Sequence, residues 1–121
     1  SGPYVSHYEN GHMDSRGSFV NGNKEGVWEW FYANGQLRQK AAYKDDILDG
    51  PQESFFESGQ LKATEHYADG KQDGPYVTYH ENGQVHGRGR FWNGLPDGDY
   101  ELHQKDGSLR ESGTYKRGVR K

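Results

Sequence analysis

The sequence contains no cysteine in its 121 residues, so no disulfide framework holds the fold and the redox compartment stays open. No stretch reads as a signal peptide or a membrane-spanning run. Leu, Ile and Met are scarce, hydrophobic residues reach only 30%, and mean hydropathy is -1.24, poor material for an ordinary globular core. Nor is charge of one sign in excess. A formal net charge of -3 is too small to draw nucleic acid or another polyanion by electrostatics alone.

What is present is concentrated and regular. Aromatic residues make up 14% of the chain and are interleaved with 18 glycines, a composition that favours strands punctuated by turns. The stretch Gly26 to Asp49, GVWEWFYANGQLRQKAAYKDDILD, recurs every 24 residues without insertion or deletion. Gly2, Gly26, Gly50, Gly74 and Gly98 open five units, and Gly11, Gly35, Gly59, Gly83 and Gly107 follow nine residues on. The units are 2-25, 26-49, 50-73, 74-97 and 98-121, and a fixed period of this size marks a single repeat array whose units bury apolar surface only against their neighbours. Because the chain starts Ser1-Gly2 and runs in repeat register from end to end, it is read as a trimmed or processed piece. Formal charge is -1, -1, -3, 0 and +2 from the first unit to the fifth, counting Lys and Arg against Asp and Glu. The array therefore passes from an acidic centre to a basic end.

Each unit carries an Asn-Gly type sequence between two strand-forming segments, such as Glu9-Asn10-Gly11-His12 and Ala33-Asn34-Gly35-Gln36. Asn-Gly favours a two-residue type I′ turn, which needs positive φ at both central residues, so each unit is expected to be a β-hairpin. With Asn10 and Gly11 as the loop, Tyr4 falls opposite Gly17, Phe19 opposite Gly2 and Tyr8 opposite Met13; one unit on, Trp28 meets Ala41 and Tyr32 meets Leu37. Large rings thus lie over small residues, where they cover strand backbone. Segments such as Asn21-Gly22-Asn23-Lys24-Glu25 and Asp69-Gly70-Lys71-Gln72-Asp73 read as loops between units.

On the opposite face, the same register sets a column His7, Phe31, Phe55, Tyr79 and His103 across from Asp14, Arg38, Lys62, His86 and Arg110. A second column, Val5, Glu29, Glu53, Val77 and Glu101, faces Arg16, Lys40, Thr64, Arg88 and Ser112. Rings flanked by cations make a contact stripe, and Phe31, Phe55, Tyr79, Arg38, Lys62 and Arg88 are the candidate partner-binding residues. Trp30 joins them as an exposed indole, because the other units have Ser6, Ser54, Thr78 or Leu102 at its position. In the third unit Gln52 opposite Glu65 replaces the ring-over-glycine pair. Both departures read either as local repacking or as a polar notch beside the indole. The alternative for the whole face is a solvated surface whose rings are covered by Arg and Lys stems.

Chemistry that would make an enzyme is missing from the pattern. The six histidines, His7, His12, His66, His80, His86 and His103, have no metal-ligand spacing, and no nucleophile, triad or phosphate-cradling loop is present. No cofactor is expected. The Asp-rich loops lack the twelve-residue ligand set of a calcium loop, so turn chemistry accounts for them.

The recurring Gly-x-Tyr/Trp, Tyr/Phe-x-Asn-Gly-Gln-Leu and Glu-Asn-Gly-Gln motifs resemble the MORN repeat, in the flavour of its bacterial variant form, across all five units. The resemblance implies an all-β fold: stacked hairpins forming one elongated, twisted antiparallel sheet. It further implies a non-enzymatic module of the bacterial antitoxin or immunity kind, which binds a protein partner such as a cognate toxin. The compartment would be the bacterial cytoplasm, or the periplasm or envelope if a signal segment was removed. Membrane association through the basic last unit, with Arg110, Lys116, Arg117, Arg120 and Lys121, is the second reading, and a structural arm of a larger polypeptide the third. Open terminal strands also invite a homodimer.

Overall fold

The computed structural model describes residues 2–121. They form thirteen strands in one open antiparallel sheet, with no helix among the described residues. In chain order these are β1 Gly2–His7, β2 Met13–Val20, β3 Asn23–Phe31, β4 Leu37–Lys44, β5 Ile47–Phe55, β6 Leu61–Ala68, β7 Lys71–Gln72, β8 Gly74–Tyr79, β9 Val85–Trp92, β10 Leu95–Pro96, β11 Gly98–His103, β12 Leu109–Lys116 and β13 Val119–Arg120. Neighbours in sequence are neighbours in the sheet, and β7 and β10 are short extensions paired with β6 and β9. Each unit is a hairpin, as expected. Each segment between units is a two-residue turn that leads into strand, which runs unbroken into β3 and β5 and is interrupted at Asp73 before β8 and at Asp97 before β11.

The two kinds of turn are the reverse of the expectation. Type I′ geometry belongs to the turns between units, where Asn21 and Gly22 have φ of 52° and 81° and Val20 pairs with Asn23. Within a unit the loop has three residues. The Tyr8 N–H donates to the His12 carbonyl at 2.8 Å and the Gly11 N–H to the Tyr8 carbonyl at 3.0 Å, so Tyr8 lies opposite His12 and not Met13. Gly11 alone takes positive φ, 91°, in the manner of a type I turn closed by a left-handed glycine. Asn10 contributes through its side chain, whose Oδ1 accepts the His12 N–H at 2.9 Å.

A three-residue loop slips the pairing by one, and a bulge restores it. His7 pairs with Met13 whereas Ser6 pairs with Ser15, leaving Asp14 unopposed; the same irregularity recurs beside Phe31, Phe55, Tyr79 and His103. Beyond the bulge the expected register holds, with Tyr4 opposite Gly17, Trp28 opposite Ala41 and Tyr76 opposite Gly89.

A second irregularity sits between units. Ser18 pairs with Glu25 and Arg16 with Glu29, so Gly17 faces a three-residue swelling, Gly26 to Trp28. Gly26 opens it with φ of 79°, and Gly50, Gly74 and Gly98 repeat the role at 123°, 111° and 100°. A side chain at that φ would be strained, which accounts for the glycine that opens each of those units.

Packing is one layer deep. Trp28, Ala41 and Tyr100 are the buried hydrophobic residues, all on one face of the sheet. There Tyr4, Phe19, Trp28, Trp30 and Tyr43 form a continuous chain of rings, with centroids 5.0 to 6.3 Å apart. Separate pairs, Tyr76 with Phe91 and Tyr100 with Tyr115, stand at 5.3 and 5.2 Å. Ring covers glycine as expected at Gly89 under Tyr76 and Gly113 under Tyr100. Gly17 differs, because its cover is Trp28 of the next unit rather than Tyr4.

Two hydrogen-bond ladders bind unit to unit at the sheet's margins. At the intra-unit turns, Tyr8 Oη donates to the Phe31 carbonyl at 2.5 Å and Tyr32 Oη to that of Phe55 at 2.6 Å, while His80 Nε2 lies 2.9 Å from that of His103. Asn10, Asn34 and Asn82 amides reach Ala33, Glu57 and Lys105 carbonyls in parallel. Along the opposite margin, carboxylates of Asp49, Asp73 and Asp97 accept the N–H of Asp69, Asn93 and Arg117. Each turn so bonded is tied to the unit before it.

Candidate protein-interaction face

Strand alternation sorts the chain into a ring face and an outer face. Phe31, Phe55 and Tyr79 lie on the outer face at the ends of β3, β5 and β8, half-buried. Their cross-strand partners are Leu37, Leu61 and Val85. The expected partners Arg38 and Lys62 instead occupy the bulge, because the three-residue loop moves each pairing by one position. Lys62 places Nζ 5.7 Å from the Phe56 ring, and Arg38 is exposed. Phe31 does have a guanidinium over it, but that belongs to Arg16 of the preceding unit, at 5.7 Å.

The second column keeps its expected pairs, Val5 with Arg16, Glu29 with Lys40 and Val77 with Arg88. It also links units. Arg16 Nε meets Glu29 Oε1 at 2.6 Å, and Arg88 Nη2 meets Glu101 Oε1 at 2.7 Å. The Arg88 contact, followed by that of His103, holds the Glu101 carboxyl below its ordinary range. Arg88 is therefore already engaged within the sheet, with part of its surface still open.

Trp30 is not an exposed indole. It is half-buried on the ring face, 6.3 Å from Trp28 and 6.2 Å from Tyr43, and Lys24 Nζ sits 5.8 Å from its ring. Its role is to extend the packed ring layer, which sequence pairing alone did not place.

The outer face holds more apolar surface than the sequence stripe. Nine large hydrophobic residues are exposed among the described residues, and eight of them, Val5, Val20, Val27, Ile47, Trp92, Leu95, Leu109 and Val119, have outer-face register; Tyr4 is the exception. Trp92 is 47% exposed, pairs with Leu95, and lies under the Arg117 guanidinium at 5.4 Å. A signal for it was available, since Phe91 over Gly74 obliges Trp92 to point the other way. No group of three or more His, Asp or Glu able to hold a metal gathers among the described residues.

Comparison with known families matches residues 24–45, 48–69 and 72–93 to the MORN repeat variant. Each matched segment runs from just after one inter-unit turn to the next, and so covers one hairpin, β3 with β4, β5 with β6, and β7 and β8 with β9. Comparison with curated proteins gives no match.

Proposed function

Since the chain belongs to the MORN repeat variant family, we propose that it is a binding scaffold that docks a protein partner on its outer face, in the role of a bacterial antitoxin or immunity protein whose partner is a toxin. MORN arrays are non-catalytic repeat scaffolds for protein interaction or membrane association. The observation that carries the reading is the one-sided placement of exposed apolar side chains: eight of nine lie on a single face of an open sheet. Exposed apolar side chains gathered on one face of a polar chain support an interaction site, and aromatic residues with arginine are the usual anchors of such sites. Phe31 beneath Arg16 and Trp92 beneath Arg117 supply that combination at two places. Equivalent residues of successive hairpins recur about every 10 Å, a spacing suited to an extended protein surface rather than a small ligand.

Phe31→Ala combined with Phe55→Ala tests it. Both rings are half-buried on a face with no second layer, so the sheet is expected to remain folded by circular dichroism. Each truncation is expected to weaken the partner complex by about 1 to 4 kcal/mol in calorimetry. A partner that binds wild type and the folded double variant equally refutes the site. Flotation with anionic vesicles at physiological salt, with no partner effect of the double variant, would assign the scaffold to a membrane through its basic last unit.

A further inference from the structure

The ring layer breaks at the third unit. Where the other units have Tyr4, Trp28, Tyr76 and Tyr100, this one has Gln52; where they have Gly17, Ala41, Gly89 and Gly113, it has Glu65. Gln52 and Glu65 oppose each other on β5 and β6 and share the ring face. Gln52 Oε1 is buried and accepts no hydrogen bond. Glu65 is half-buried and, among the described residues, has neither an ion pair nor a hydrogen bond. Burial and then the Glu65 charge push the Tyr67 phenol above its ordinary value, so the carboxylate is close enough to be felt there. Ala41 faces Gln52 from β4 and Ala63 lies two residues before Glu65 on β6, so neither position places a large side chain beside the pair.

The same face shows what fits such a place. Lys24 Nζ stands 5.4, 5.8 and 5.1 Å from the Trp28, Trp30 and Tyr43 rings, and Arg120 Nε is 3.0 Å from Tyr100 Oη. These two cations occupy one repeat position, which in the three middle units is Leu48, Gln72 and Pro96. The array thus fills the position with its own cations at both ends and places no cation there in the middle, beside its most acidic unit.

We propose that the Gln52–Glu65 notch receives the guanidinium of an arginine presented by a protein partner. An unmet carbonyl and an unpaired carboxylate on opposed strands suit a planar fork of N–H donors, which can bond both at once, better than the point charge of an ammonium. Tyr43 on β4 and Tyr67 on β6 supply rings on either side for it to stack against. The departure of this unit from the repeat is then a binding device, placed where a scaffold pair has been given up. This site is on the face opposite the apolar one and stands or falls separately from it.

The test titrates 15N-labelled protein with N-acetyl-arginine methylamide, using the neutral citrulline analogue as control. Saturable shifts confined to the Gln52 side-chain amide and the Glu65–Tyr67 backbone are expected with arginine and not with citrulline. Glu65→Gln, which keeps the shape, is expected to weaken the arginine response at least tenfold. Gln52→Tyr, which restores the repeat's ring, is expected to abolish it and raise the melting temperature. An equal response to citrulline, or unchanged affinity in Glu65→Gln, overturns the proposal. So does a concentration-dependent dimer lost in Glu65→Gln, which would give the notch to the basic last unit of a second copy.

Discussion

The seam between the third and fourth units lacks both side-chain links that the other seams have at that margin. Phe56 stands where Tyr8 and Tyr32 donate a hydroxyl and His80 a ring N–H, and Ser58 stands where Asn10, Asn34 and Asn82 donate an amide. The acceptors they would meet, by the same spacing of 23 residues, are the carbonyls of Tyr79 and Glu81. Phe56→Tyr with Ser58→Asn supplies both donors, and the new phenol keeps its ring beneath Lys62. A net hydrogen bond is worth about 0.5 to 1.5 kcal/mol, and the margin's partial exposure puts each of these near the lower end, or about 1 to 2 kcal/mol together. For a chain of this size that raises the melting temperature by roughly 3 to 8 °C. In urea the midpoint should rise at constant m, since no surface is newly buried. Because each unit touches only its neighbours, amide exchange should slow most along β6 and β8, on the two sides of the seam. The reverse change, Tyr32→Phe, removes a 2.6 Å bond and should cost about 1 kcal/mol. If the double variant and Tyr32→Phe both leave the urea midpoint where it was, the margin ladder contributes nothing and the reasoning fails.

Gly17→Ala should be far more damaging than Gly89→Ala: a Cβ at residue 17 would lie 2.1 Å from the buried Trp28 ring, whereas at residue 89 it meets the edge of Tyr76 at 2.9 Å. Overpacking of the first kind is expected to cost about 3 kcal/mol and of the second about 1, read from urea midpoints; equal costs would show that the Trp28 ring can step aside. Alkaline pH offers a third check. Burial raises the Tyr43, Tyr67 and Tyr76 phenols above 10.0, and the bond to Glu111 does so foremost for Tyr100. A raised phenol favours the protonated folded state, so its contribution is whole below pH 10 and fades as pH climbs through the folded values. Absorbance at 295 nm should show a late-ionising class of tyrosines that merges with the rest in urea; a single class in the folded protein refutes it.

The period and the placement of rings over small residues were legible because glycine and aromatic columns repeat without a gap. Turn type was not, for a physical reason. Asn-Gly serves both a two-residue type I′ turn, as at Asn21-Gly22, and a three-residue loop, as at Asn10-Gly11, and the dipeptide does not say which. Choosing the shorter loop misplaced one residue per hairpin, and in a strand one residue changes the neighbour. Phe31 was therefore assigned Arg38 when it has Leu37 beside it and Arg16 above. Of the two readings of Trp30, packing and not exposure holds: Trp28 and Lys24 precede it on β3 and Tyr43 lies on β4, and the swelling at Gly26 to Trp28, which strand alternation does not show, lies between Lys24 and Trp30. The Gln52–Glu65 pair was visible as an anomaly of the repeat; that its carbonyl is buried and unmet required side-chain packing to see.

The order of strands in the sheet follows the order of the chain, so strands lie across the long direction of the array. A load applied between its two ends therefore does not shear many backbone bonds together. It opens an edge hairpin bond by bond, as a zipper parts, and then passes to the next. The resistance to such peeling rises at each margin, where Tyr8 or Tyr32 fastens one hairpin to the following one, and falls at Phe56, where no hydroxyl does. A tethered array of this build would lengthen in steps of one hairpin, with its easiest step between the third unit and the fourth.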